Sequence, residues 1–284
     1  MTSLFLLSGG IGNQLFALPA IKSLSEKGPV YLYVEGDYAT AELFSRCRYV
    51  TRTYGSGSNV PDVDSYFSGY WILPKFARKP VKLCGWKRGE KEYARPEWQQ
   101  ILVNAGFPGE RIDVSDWMPH SGLPVRWDVG IVNGAKPGPE WTRKRYPRMN
   151  DVASALSCAG LRIAIFGQRV DFPEPMPGED LRDRTTLVEL ADALRQCRVV
   201  VGSDSGALHL ASSLGVPVVA VYTATNPTKG DPLGKAVKIA KGCERAPKGC
   251  QSTATWNACV DWTCRDILPS KIVRAAEGIL EGNG

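Results

Sequence analysis

A chain of 284 residues, 43% hydrophobic and 23% charged, carries enough apolar side chain to bury more than one core; two domains are expected and disorder is excluded. The formal charge of +6 suits an anionic ligand without naming one. Eight cysteines are too few for a disulfide scaffold, and the first apolar run, Leu4 to Leu7, is too short for a signal or membrane span, so a cytoplasmic chain is expected, with Cys47, Cys84, Cys158 and Cys197 reduced.

In chain order, Ser3 to Leu7 is predicted as a strand, Gly9-Gly10-Ile11-Gly12 as a tight turn, Asn13 to Lys27 as an amphipathic helix and Val30 to Val34 as a second strand. Leu15, Leu18, Ile21 and Leu24 recur at helical spacing, and Gly28-Pro29 ends the helix. This is a βαβ unit. Its turn either cradles a phosphate at Gly10 and Gly12 or is only a tight turn, for the pattern falls short of the dinucleotide fingerprint and no acidic residue closes the second strand cleanly.

From Tyr38 to Trp127 the periodicity fades into short elements rich in aromatic and turn residues. Between Lys75 and Arg95, the bases Lys75, Arg78, Lys79, Lys82, Lys87, Arg88, Lys91 and Arg95 are set against Glu90 and Glu92 alone, with Trp86 and Tyr93 interleaved. Lys79, Lys82, Trp86, Lys87 and Arg88 are therefore candidates for holding an anionic acceptor; a solvated basic face is the alternative.

The proline-bearing stretch Pro119 to Pro124 has no periodicity, which places a linker near 120–126, between a first domain over 1–122 and a second over 123–284. Val129 to Asn133, Arg162 to Phe166, Val199 to Val201 and Val216 to Tyr222 then read as strands. Met149 to Ala159, Leu187 to Gln196 and the segment after Gly206 read as helices, giving a second doubly wound sheet. Pro269 to Leu280 is a last helix, expected to cross back to the first domain. Cys243, Cys250, Cys259 and Cys264 lack the tight pairs of a zinc ribbon, leaving structural metal, disulfides and free thiols open.

The strongest local signal is Ser203-Asp204-Ser205-Gly206 between a buried strand and a helix. N–H groups at a helix start, at the carboxyl end of a parallel strand, form an anion site that fits a diphosphate. Asp or Ser there can also cap the helix.

The second half resembles glycosyltransferase family nine, the heptosyltransferase-like enzymes. Asn133-Gly134-Ala135 with Lys144-Arg145-Tyr146-Pro147 resembles the family's P-G-A and K-R-W-P, Ile165-Phe166-Gly167 its strand-Gly, and Thr185-Thr186-Leu187 its T-S-L. Asp204-Ser205-Gly206 with His209-Leu210-Ala211, Pro217-Val218-Val219-Ala220 and Thr225-Asn226-Pro227 resemble D-S-G-x-x-H-L-A, P-V-V-A and T-D-P. The likeness covers about 126–284 and, locally, 1–25. It implies the GT-B fold, two Rossmann-like α/β domains facing across a cleft, with acceptor on the first and donor on the second. It also implies inverting, metal-independent transfer of a sugar to an acceptor hydroxyl, with no cofactor beyond the nucleotide-sugar co-substrate.

Breaking a sugar–phosphate bond develops negative charge on the leaving nucleotide, so the donor site needs cations and N–H dipoles. Lys144 is the candidate phosphate cation. Gln168, Asp204, Ser205, Gly206, His209 and Thr225 are candidates for donor binding, with Asp204 alternatively a helix cap and His209 a core histidine. Where the family has an Asp base, this chain has Asn13, which does not accept a proton at neutral pH. Gly9 to Phe16 is also similar to the G-G-x-G-N-Q-x-F opening of fucosyltransferases. Asp37, Asp62 and Asp64 stand as alternative bases. The acceptor is expected to be a saccharide or, in a rival reading, hydroxymethylated DNA as in phage DNA glycosyltransferases; a nucleotide-sugar or nucleic-acid binding module without catalysis is the non-enzymatic alternative.

Overall fold

In a computed structural model, residues 1–36, 38–69, 76–85, 95–135, 141–244, 250, 259–260, 262 and 263–282 are described. The chain divides into two compact units, Met1–His120 and Ser121–Gly284.

The first unit is built on five parallel strands, β1(Ser3–Leu7), β2(Val30–Val34), β3(Arg52–Gly55), β4(Ser65–Ser68) and β5(Val81–Leu83), in the order β3-β2-β1-β4-β5. β1 is central and buried throughout, as its unbroken apolar run requires. β2 alternates, with Val30, Leu32 and Val34 inward and Tyr31 and Tyr33 half-buried. The helix expected over Asn13 to Lys27 is two helices, α1(Ile11–Leu15) and α2(Leu18–Ser25), because Pro19 sits in the first turn of α2, where its missing N–H is harmless but a continuous helix would lack a bond. α3(Tyr38–Ser45) and α4(Glu97–Ala105) fall where periodicity faded; α4 ends on Gly106 at φ 102°, a left-handed cap that glycine adopts without penalty. β2 is followed directly by Glu35, which corrects the reading that no acidic residue closes the second strand.

The second unit has six parallel strands, β6(Trp127–Val132), β7(Ile163–Phe166), β8(Glu179–Asp180), β9(Cys197–Ser203), β10(Val218–Tyr222) and β11(Ala236–Ala240), ordered β11-β10-β9-β6-β7-β8. Counted within the unit this is the 3-2-1-4-5-6 order of dinucleotide-binding folds, and the order reverses between β6 and β9. The strands are separated by α5(Met149–Cys158), α6(Leu187–Arg195) and α7(Gly206–Ser213). Thr186 and Glu189 form a reciprocal capping box at the start of α6. β6 and β9 meet so closely that a Cβ on Gly202 would lie 2.0 Å from Val132 O. The last helix, α8(Pro269–Leu280), puts Ile272, Ala276 and Ile279 into one core with Met149, Val152, Leu156, Val199 and Val201 of its own unit.

Candidate active site

The strand order fixes where a ligand can sit in the second unit: at the carboxyl ends of β6 and β9, where connections leave in opposite directions and open a crevice. The residues there are tied into one hydrogen-bonded framework. Asn133, just past β6, accepts from Tyr146 N at 3.1 Å and donates to Tyr146 O at 3.0 Å. Ser203, the last residue of β9, donates to Asn133 Oδ1 at 2.6 Å and accepts from Tyr146 N at 2.9 Å. Thr223, past β10, donates to Arg143 O at 2.6 Å. Three strand ends thus hold the short 3-10 turn Trp141–Lys144 and the residues after it. These clamps set the direction in which Lys144 leaves the backbone.

Lys144 Nζ lies 3.0 Å from Asp204 Oδ2, and His209 Nε2 lies 2.8 Å from Asp204 Oδ1. Asp204 is 7% exposed and His209 3%. Burial alone would raise the Asp204 pKa, but Lys144 and His209 outweigh it and hold the carboxyl well below the usual carboxylate range. The site therefore keeps a fixed negative charge with a lysine beside it. The helix cap is Ser205, whose Oγ accepts from Leu208 N, so Asp204 is released from the capping role and spent on Lys144 and His209. Gly206 opens α7, and the N–H groups of its first turn point out of the helix beside Lys144's partner. Thr225 is 5% exposed, and its Oγ1 has no hydrogen-bond partner among the described residues. Gln168 is exposed after β7, its carbonyl accepting from Asp171 N.

A second ion pair braces the same framework. Arg145 Nη2 lies 2.5 Å from Asp171 Oδ1, both side chains mostly buried. Burial raises the Asp171 pKa and Arg145 opposes that rise. A Cβ on Gly134 would lie 2.8 Å from Asp171 Oδ2, so the loop after β6 approaches this pair as closely as glycine permits.

Residues 130–260 match the family model described as Glycosyltransferase family 9 (heptosyltransferase). The matched segment lies within the second unit. Lipooligosaccharide heptosyltransferase 2 of Haemophilus influenzae is 30% identical over 139 residues, 40% of this chain and 39% of that protein. The matches span between 39% and 59% of the curated relatives' lengths. Among solved structures, a glycosyl transferase family 9 protein from Veillonella parvula superposes with TM-score 0.71 at 16% identity, covering 99% of this chain and 97% of that one. E. coli ADP-heptose lps heptosyltransferase II gives TM-score 0.67 at 16% identity, covering 99% of each chain. The two parallel-sheet units have the fold of these GT-B proteins.

Within the matched segment, the structure brings Lys144, Asp204, Ser205, Gly206 and His209 together, with Thr225 just past the neighbouring strand β10. Sequence reasoning missed the bracing role of Ser203, Tyr146, Arg145 and Asp171, although Tyr146 and Arg145 stand inside a matched motif. In the first unit, Gly10 caps α1 and Gly12 lies within it, while a Cβ on Gly9 would lie 3.3 Å from Asn13 Nδ2. Asp64 caps the Thr2 backbone at 2.7 Å, and Asp62 accepts from Tyr66. Both precede β4 and so lie at the amino ends of the strands, opposite the glycine turn. Lys79 donates to Val63 O at 2.7 Å, also before β5, and Lys82 lies in β5. Asp37, Trp86, Lys87 and Arg88 lie outside the described residues. None of the eight cysteines is in a disulfide; among the described residues no group of three or more metal-ligating side chains is assembled, and no helix is long and apolar enough to cross a membrane.

Proposed function

We propose that the protein is an inverting glycosyltransferase that moves a sugar from a nucleotide-sugar donor to a hydroxyl of a saccharide acceptor, as a heptosyltransferase does, without a metal. The observation that carries this reading is the Lys144–Asp204–His209 cluster beside the start of α7, at the point where strand order reverses. A lysine ammonium has three donors. With one directed at Asp204, others remain for the diphosphate, and the N–H groups of Ser205 and Gly206 add dipoles on the same side. Together they neutralise the charge that builds on the leaving nucleotide, the task a divalent cation performs elsewhere. Asp204, kept ionised, accepts hydrogen bonds from sugar hydroxyls. The relatives' names support trying ADP-heptose as donor and a lipopolysaccharide core as acceptor first. A cytoplasmic location fits such a donor.

The test is direct. Thermal melts with ADP, ADP-heptose and a panel of other nucleotide sugars should show selective stabilisation, about 2.7 kcal/mol at a hundred times the dissociation constant. ADP release in the presence of a lipopolysaccharide core oligosaccharide should then follow the donor that stabilises. No stabilisation by any nucleotide sugar rejects the reading.

A further inference from the structure

Three polar atoms at the carboxyl ends of β1 and β2 are buried with no hydrogen-bond partner among the described residues: Ser8 Oγ, Gln14 Oε1 and Glu35 Oε2. Ser8 and Gln14 are each 3% exposed, and Glu35 is half-buried. The backbone gathers them. Glu35 N donates to Leu7 O at 2.8 Å, carrying the β1–β2 pairing one step past Leu7↔Val34 and setting Glu35 beside Ser8. Gln14 Nε2 donates to Gly9 O at 2.9 Å, which fixes the amide at the same turn while its oxygen stays unpaired. Folded proteins leave few buried polar atoms unsatisfied, and three around one turn mark a place for a polar ligand. The turn also lies where strand order reverses between β1 and β4, the ligand position of an open parallel sheet.

Resting on the function proposed above, we propose that this is the acceptor site and that Glu35 is the general base, taking the role that Asn13 cannot perform. Glu35 removes the proton from the attacking acceptor hydroxyl, whose oxygen forms the new bond to the anomeric carbon. The bond from that carbon to the phosphate oxygen breaks, and the nucleoside diphosphate leaves with the electron pair. Ser8 and Gln14 orient the acceptor through hydrogen bonds to its hydroxyls. Asp62 and Asp64 are at the other end of the sheet and do not compete.

Steady-state kinetics with ADP-heptose and a lipopolysaccharide core oligosaccharide test this, alongside thermal melts with ADP. Glu35→Gln is expected to lower kcat by about 10²–10⁴-fold and leave the ADP-heptose KM and the ADP-induced melting shift unchanged. Glu35→Asp should recover part of the rate. Adding Asn13→Asp to Glu35→Gln should restore some turnover by returning a carboxylate to the turn. A Glu35→Gln protein with wild-type kcat overturns the proposal. So does one whose donor KM alone rises, because Glu35 would then hold the donor ribose. If Glu35→Gln does not fold, an unchanged kcat in Glu35→Asp overturns it equally. Wild-type protein that neither binds ADP nor releases it from any nucleotide sugar rejects the function itself, a distinct result.

Discussion

Lys144 Nζ and Asp204 Oδ2 lie 3.0 Å apart in a setting where their side chains are only 16% and 10% exposed. The two residues come from different segments, a short turn after β6 and the end of β9, and Asp204 is shared with His209. Breaking such a pair from either side leaves a poorly solvated charge, which is expensive, so the two truncations are not equivalent to loss of a surface contact.

Lys144→Ala is expected to lower kcat/KM for the donor by about ten- to a hundredfold, the loss of one charge-assisted contact of roughly 1.5–3 kcal/mol. Asp204→Ala should reduce donor use and also destabilise the fold by about 3–5 kcal/mol, since Lys144 is left without its carboxylate. Donor kinetics and melting curves on both variants are the measurement, and wild-type kinetics in both would remove the donor site from this cluster.

Acid stability should depend on Asp204. Its folded pKa lies below the ordinary value of 3.8, so the unfolded chain binds the proton more readily. The contribution is complete above that value and is lost as the pH falls below it. Asp204→Asn should flatten the acid arm of a stability–pH curve; a parallel curve merely displaced would contradict the assignment.

Alkaline pH works in the opposite sense on the buried thiols. Burial pushes Cys47, Cys84 and Cys197 up from 9.0 to about 12, so between those values the unfolded chain has released protons that the folded chain retains. Stability should fall as the pH rises from about 9, and Cys197→Ala should soften the fall. Under native conditions near pH 8, exposed Cys158 should react with a thiol reagent well before these three.

Gly202→Ala should destabilise the second unit by about 3 kcal/mol, the upper end of ordinary overpacking, because the new Cβ meets a strand carbonyl at 2.0 Å and not the tip of a flexible side chain. At about 2–4 °C per kcal/mol the melting temperature should drop by roughly 6–12 °C. A drop under 2 °C would mean that β6 and β9 can separate freely.

Activity is expected to survive EDTA, since Lys144 and the start of α7 replace a divalent cation on the diphosphate. Complete loss that magnesium restores would contradict the proposed chemistry.

The sequence by itself determined the regular parts of this protein. Strands β1, β2, β7 and β10 are short apolar runs bounded by turn residues, and the helices beside them repeat at 3.6 residues, so each could be placed from local pattern alone. The motif segments from Asn133 to Asn226 carried the resemblance to family 9, because their residues and spacing can be read along the chain. Only the tertiary structure decided what those segments do to one another. β3, β5 and β8 are edge or short strands whose side chains need not be apolar, so they left no periodic trace. Whether Asp204 capped a helix or faced Lys144 depended on contacts between residues 60 apart in sequence, and Ser205 taking the cap settled it. Glu35 was passed over because closing a strand is a matter of register, and its uncovered hydrogen-bonding capacity exists only once β1, β2 and the glycine turn are folded together.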